Sequence, residues 1–260
     1  MPIGIVGLGV VGGAMYRGFK AAGCEVFGHD TDPARSHDPL ETVLAQDVVL
    51  IAVPTPVNAS GRCDLSAVNS VFDRADATGA RGLLVLRSTV PVGTTEALIA
   101  RHPRLRIGFS PEFLRKRSAD SDFRNPRIMV YGGTGAETYF DLMKTACEIP
   151  TAGTFIVSPR EAELLKLLLN AFTAMKAVFI SEVARFARNA GADWNQVATI
   201  ALAEGRIGEG YLSETGPDNI PGFGGGCLPK DTLMLAAQLG TGSLLEKVLK
   251  ANEHLRASDR

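Results

Sequence analysis

Apolar residues enter this chain as short runs without alternation. Residues 3–6, 48–53 and 83–86 are such runs, 25–28 read as a further strand ending at Asp30, and 107–109 and 128–131 continue the series. A run lacking the period of two predicts a strand covered on both faces, the habit of parallel sheets. Between the runs, apolar positions recur at helical spacing over 10–22, 65–78, 94–100 and 136–147. Strand and helix therefore alternate, and residues 1–157 are expected to form one α/β domain with a doubly wound parallel sheet.

From Pro159 the pattern changes. Apolar residues keep helical spacing to about Asn189 with no internal glycine or proline, Pro159 suits the first turn, and Gly191 lies just past the end. This predicts one long helix opening a second, all-α domain over 158–260. Its stretch Leu164 to Phe172 is apolar almost all round, which predicts burial on several sides and a homodimer formed through the helix. Helices are expected over 194–203, 230–239 and 243–255, with a glycine-rich loop over 205–226.

Composition narrows the options. The 260 residues are 45% hydrophobic and 21% charged, which allows two cores, and the net charge of −1 offers no field for nucleic acid or an anionic membrane. The four cysteines form no CxxC pair and no Cys/His ladder, so neither a disulfide framework nor a metal is expected. Reduced thiols and a strand in place of an N-terminal signal predict a cytoplasmic protein. No apolar run reaches about 18 residues, so no membrane span is expected.

Three constellations carry chemistry. Gly7-Leu8-Gly9-Val10-Val11-Gly12 joins the first strand to the first helix, and Asp30 ends the second strand. Gly7 permits the turn, Gly9 lets backbone approach a pyrophosphate, Gly12 allows close packing, and Asp30 sits where an acid binds a ribose. This is a Rossmann-like dinucleotide site, and Asp30 favours NAD over NADP, a preference tempered by Arg35. Cys227 follows Pro221-Gly-Phe-Gly-Gly-Gly226 and precedes Leu228-Pro229-Lys230-Asp231. With Pro229 suited to a first helical turn, a thiol at this helix N-terminus beside Lys230 is expected to favour the thiolate. Lys166 and Asn170, four apart on the long helix, share one face. A lysine used inside the leucine-rich surround and one whose amine snorkels outward fit the spacing equally.

Taken in order, Gly7 to Gly12, Val53-Pro54-Thr55-Pro56, Ser88-Thr89-Val-Pro-Val-Gly93, Ser110-Pro-Glu112-Phe113-Leu114, Lys166 with Asn170, Arg206-Ile-Gly208 and Gly222-Phe223-Gly224-Gly-Gly-Cys227-Leu-Pro-Lys-Asp231 resemble the UDP-glucose/GDP-mannose dehydrogenases over nearly the whole chain. The resemblance implies an NAD⁺-dependent four-electron oxidation of a nucleotide-sugar alcohol to a carboxylate. It implies that Cys227 forms a thioester, Lys166 stabilises oxyanions, Asn170 and Asp231 orient a water, Glu112 aids thioester hydrolysis and Thr89 contacts cofactor and water. Cofactor contacts are further implied for Val10, Val11, Val53, Pro54, Thr55 and Ser88. Substrate contacts are implied for Glu112, Phe113, Leu114, Lys166, Asn170, Phe223 and Gly224, and for Arg206 toward a partner subunit's substrate. The family's third domain, which helps hold the nucleotide-sugar, is expected to be absent from a chain ending at Arg260.

Two departures bear on the substrate. Lys116 stands where the family has a second glutamate, and Arg117 replaces a glycine, so the family's substrate does not carry over directly; with the third domain expected to be absent, a nucleotide or a sugar phosphate is a candidate beside a nucleotide-sugar. Two other readings stay open: a two-electron β-hydroxyacid dehydrogenase, which needs no cysteine, and a silent NAD-binding dimer that acts as a scaffold.

Overall fold

The unalternated runs form strands whose successive residues feed two cores. A computed structural model describes residues 1–208 and 210–257. In it, β1 (Ile3–Val6), β2 (Val26–His29), β3 (Val48–Ile51), β4 (Leu83–Leu86), β5 (Arg106–Phe109), β6 (Met129–Gly133) and β7 (Thr154–Val157) form one sheet in the order β2-β1-β3-β4-β5-β6-β7. Ile3, Ile5, Val48, Leu50, Leu83 and Val85 enter one apolar cluster. Val6, Val49, Ile51, Leu84 and Leu86, the alternate residues, enter the other. With both faces covered by helices, every residue of β1, β3 and β4 is buried.

The sheet is not wholly parallel, which corrects the expectation. β1 to β5 are parallel, but β6 pairs antiparallel with β5, and β7 runs parallel to β6. Such reversed edges are common on large α/β sheets. The intervening segment builds no full crossover helix. It holds a 3₁₀ turn (Lys116–Ser118) and the six-residue α5 (Ala119–Arg124). Phe123 of α5 lies against Phe19 of α1 (Val10–Ala21), ring centroids 5.4 Å apart.

The remaining helices are α2 (Leu40–Leu44), α3 (Ser66–Thr78), α4 (Thr94–Arg101), α6 (Ala136–Lys144), α7 (Pro159–Asn189), α8 (Trp194–Glu204), α9 (Cys227–Leu239) and α10 (Leu244–Ala257). The long helix ends as its glycine predicts: Gly191 has φ +73° and the Ala192 N–H donates to the Ala187 carbonyl.

Contacts divide the chain into two compact units, Met1–Pro56 with Cys63–Lys166, and Val57–Arg62 with Leu167–Arg260. The division falls inside α7 rather than at 157/158, because Ala162 and Leu165 of its first turns pack into the core of the sheet. Among the described residues the second unit has no strand, only an isolated bridge between Thr215 and Pro221. Its core gathers Ala174, Ala177, Val178, Phe223, Val248 and Leu255.

The expected burial of α7 on several sides is not supplied within the chain. Leu168, Phe172, Phe179 and Phe186 are 50%, 55%, 59% and 70% exposed. By length and apolarity α7 also qualifies as a membrane span, contrary to the sequence expectation. Its buried, paired polar side chains Glu163 and Lys166 mark it as a core helix instead.

Candidate active site

In the first unit the strand order reverses between β1 and β3, the place where open α/β sheets bind ligands at their carboxyl ends. Gly7 follows β1 with φ +87°, and a Cβ there would stand 2.5 Å from the Ala52 carbonyl oxygen. A Cβ on Gly12 would meet the Gly7 carbonyl oxygen at 1.7 Å, whereas one on Gly9 would meet nothing within 4 Å. The first and third glycines are thus required by packing, and the second faces open space at the start of α1. Val10 and Val11 begin that helix.

Asp30 accepts the Leu8 N–H at 2.7 Å and the Asp32 N–H at 2.9 Å. Arg35 lies 3.4 Å from it and 3.1 Å from Asp32. Burial alone would push the Asp30 carboxyl up, but the two amides and the Arg35 charge outweigh it and hold it below its ordinary value. A cavity of about 340 Å³ runs from Asp30 and Arg35 past Gly7 and Gly9 to Val53 and Pro54. These features fit a dinucleotide: an ionised acid for ribose hydroxyls, open backbone for the pyrophosphate and a groove linking them.

The loops after β3 and β4 are locked together. The Thr55 hydroxyl donates to the Thr89 carbonyl and the Ser88 hydroxyl to the Val53 carbonyl, both at 2.7 Å. Thr55 and Ser88 are buried; Thr89 is half-buried. Glu163 of α7, which the sequence reading did not single out, accepts the Gly93 and Thr95 N–H groups and the Thr95 hydroxyl at 2.5–2.7 Å. Burial pushes its carboxyl up against those bonds. Arg87, also missed, is a buried cation that donates to Ser110 Oγ at 2.5 Å and to the Tyr139 hydroxyl. It links the chain entering Ser88 to the chain entering Glu112.

Lys166 does not snorkel. Its side chain is 6% exposed, and Nζ donates to the Glu112 carbonyl at 2.6 Å and to Glu112 Oε1 at 3.1 Å, over the Phe113 ring. The Leu114 N–H donates to the other carboxylate oxygen at 2.7 Å. Burial of the lysine among leucines is made tolerable by a carboxylate that arrives from the loop after β5. This is the pairing that spacing alone left open.

In the second unit Cys227 is the first residue of α9 and is exposed. Gly225, at φ +81°, and Gly226 precede it, and a Cβ on either would meet nothing within 4 Å. The loop behind the thiol is fixed by Phe223, whose N–H and carbonyl both pair with the Asn252 side chain at 2.8 and 3.0 Å. Phe223 is 2% exposed. Its ring packs in the core of the second unit, so any substrate contact here falls to the backbone of the loop. Pro229, the third residue of α9, lies in its first turn as expected.

Asn170 Nδ2 donates to Asp231 Oδ2 at 2.5 Å, bringing together the two residues expected to orient a water. Lys230 Nζ stands 2.7 Å from Asp231 Oδ1, a charge contact without hydrogen-bond alignment. Gly224 is half-buried, and Arg206 is exposed with its Nε donating to Glu204. The other cysteines differ in kind: burial pushes the Cys147 thiol up to about 12, and Cys24 and Cys63 are half-buried.

Residues 35–147 match the NAD-binding domain of the UDP-glucose/GDP-mannose dehydrogenase family, and residues 160–254 match its central domain. The chain belongs to this family. It is 37% identical over 212 residues to the UDP-glucose 6-dehydrogenase of Rhizobium meliloti (strain 1021), a match covering 76% of this chain and 47% of that protein. The chain spans about half the length of the curated relatives it matches. It superposes on a UDP-glucose dehydrogenase of Pyrobaculum islandicum with a TM-score of 0.83 at 32% identity, covering 97% of this chain and 68% of that one. A likeness to a 3-hydroxyisobutyrate dehydrogenase of Mycobacterium tuberculosis, TM-score 0.75 at 17% identity over 98% and 94% of the two chains, is one of fold alone. The first unit of this family member is therefore an NAD-binding domain.

Proposed function

We propose that the chain carries the cofactor-binding and catalytic parts of a dehydrogenase that oxidises a primary alcohol of a nucleotide-sugar, or of a related nucleotide or sugar phosphate, to a carboxylate through a thioester on Cys227. Cys227 carries the reading: it is an exposed thiol at the start of α9 behind two glycines that leave open space. When bound, NAD⁺ accepts a hydride in each of two oxidations.

In the first oxidation a water held by Asn170 and Asp231 takes the hydroxyl proton while Lys166 stabilises the developing alkoxide. Loss of hydride leaves an aldehyde. The Cys227 thiolate adds to the aldehyde carbon, forming a C–S bond and an oxyanion whose stabilisation is assigned to Lys166. A second hydride leaves that carbon to give the thioester. Water then adds, the C–S bond breaks, and the carboxylate and the thiol are released, with Glu112 as the assisting carboxylate. Thr89 contacts cofactor and water, Phe113, Leu114 and Gly224 line the substrate, and Arg206 reaches the substrate of a second copy.

A homodimer through α7 is part of the proposal, supported by the exposed Phe172, Phe179 and Phe186. A cytoplasmic setting accords with four cysteines that form no disulfide. The two-electron reading shares the fold but gives the exposed thiol no task. An NADH-release screen over nucleotide-sugars, nucleotides and sugar phosphates tests the proposal: two NADH per carboxylate are expected, and one NADH with an aldehyde or ketone product would contradict it. Absence of NADH formation despite NAD⁺ binding would favour the silent scaffold.

A further inference from the structure

A second cavity of the first unit, about 630 Å³, opens beside the glycine turn. Part of its wall is Leu8, Gly9 and Val10, where α1 begins. The rest carries Arg17, Arg35, Lys116, Arg117 and Arg124 against one carboxylate, Asp120. Arg17 is committed to Asp120 and Arg35 to Asp30 and Asp32. Lys116 and Arg117 make no ion pair among the described residues.

Those two cations stand on an ordered turn. The Arg115 N–H and guanidinium and the Ser118 hydroxyl all donate to Asp122, at 2.7–2.9 Å for the shortest bond of each, clasping the 3₁₀ turn between them. The backbone that carries the two cations is thus fixed at the cavity. An unneutralised pair of cations facing a helix N-terminus across an open groove calls for an anion.

We propose that Lys116 and Arg117 form a phosphate clamp for the pyrophosphate of the bound dinucleotide. Both cavities of this unit are bounded by Gly9 and Arg35. A dinucleotide whose ribose is held by Asp30 and whose pyrophosphate crosses the open Gly9 turn must therefore face the second cavity. A 2′-phosphate would instead meet the ionised Asp30. The charge reversal at Lys116 is accordingly a change in how the cofactor is gripped, and not a mark of an altered substrate. Two cations near one pyrophosphate also make cofactor affinity depend on ionic strength, since exposed charges are screened within about 10 Å at 0.1 M salt.

Calorimetric titration of the full chain with NAD⁺, ADP-ribose, NADP⁺ and UDP-glucose tests the clamp in wild type and in the double variant Lys116→Gln/Arg117→Gln. Both residues are exposed, so the fold should survive. Thermal unfolding of the variant checks that it does. At about 50 mM salt the double variant should bind NAD⁺ and ADP-ribose roughly 10-fold more weakly, as two exposed charge contacts imply. Most of the loss of wild-type affinity between about 50 and 300 mM salt should vanish with it. Unchanged affinity for both ligands would overturn the clamp. So would weakening confined to UDP-glucose, which would place the cations on the substrate, or confined to NADP⁺. If wild type binds neither dinucleotide, the cofactor site itself is refuted and the clamp with it.

Discussion

The two polar centres of this protein are built in opposite ways. Lys166 and Glu112 in the first unit are buried, matched in charge and fixed by three hydrogen bonds. Cys227 in the second unit is exposed and follows two glycines on a loop anchored through the Phe223 backbone. The contrast accords with the tasks proposed for them. A charge meant to stabilise an oxyanion gains strength from a dry, preorganised setting, whereas a nucleophile must be reachable by the carbon it attacks.

The sharpest way to break the contrast is to unpair the buried half. Glu112→Ala leaves the Lys166 ammonium buried without its carboxylate and should destabilise the fold by about 3–5 kcal/mol, the usual cost of removing one partner of a buried pair. Denaturant unfolding reads this directly. A change below about 1 kcal/mol would mean that Lys166 escapes to solvent, and the dry setting would be lost from the account.

The open half is tested from behind. Asn252→Ala removes both partners of the buried Phe223 backbone and should cost about 2–4 kcal/mol, since two buried polar groups are stranded. Because the loop over 221–226 leads into Cys227, the rate of thiol alkylation should change as well. Unaltered stability together with unaltered alkylation would show that the loop does not depend on this anchor.

The smallest effect comes from a half-exposed ion pair. The Arg115 guanidinium holds the Asp122 carboxyl at about 2, below its ordinary value. A lowered folded-state pKa stabilises the fold above the unfolded value near 4, and that stabilisation is lost as pH falls through 2. With Arg115 65% exposed, screening leaves about 1 kcal/mol at most. Asp122→Asn should remove this part of the acid dependence between roughly pH 4 and 2; an identical acid transition in both proteins would contradict the pairing.

Much of the fold was legible because burial on both faces writes itself as unalternated runs, and because α7 is long, uninterrupted and closed by Gly191. The reversal at β6 was not legible, since no local pattern sets strand direction and the segment before β6 holds only a 3₁₀ turn and the short α5. β7 was missed for a related reason: it is a short edge strand in which Phe155 and Ile156 stay exposed, so no buried run announces it. In the site, glycine spacing and Cys227 could be read from sequence. The Lys166–Glu112 pair joins positions 54 apart, and the Arg87–Tyr139 bond joins positions 52 apart. Neither separation leaves a local signature. The burial of the Phe223 ring was not legible either, because its glycine neighbours read as an open loop while its packing partners lie in α7 and α10.

Thioester chemistry at Cys227 is the central claim, and carboxylate formation by Cys227→Ser tests it most directly. The thiol is exposed, so the variant should fold and bind NAD⁺ as the native protein does. Its production of carboxylate from alcohol or from supplied aldehyde should fall by about a thousandfold or more, as loss of a covalent nucleophile implies. Carboxylate formed at a near-native rate by Cys227→Ser would contradict the thioester and leave a two-electron dehydrogenase in its place.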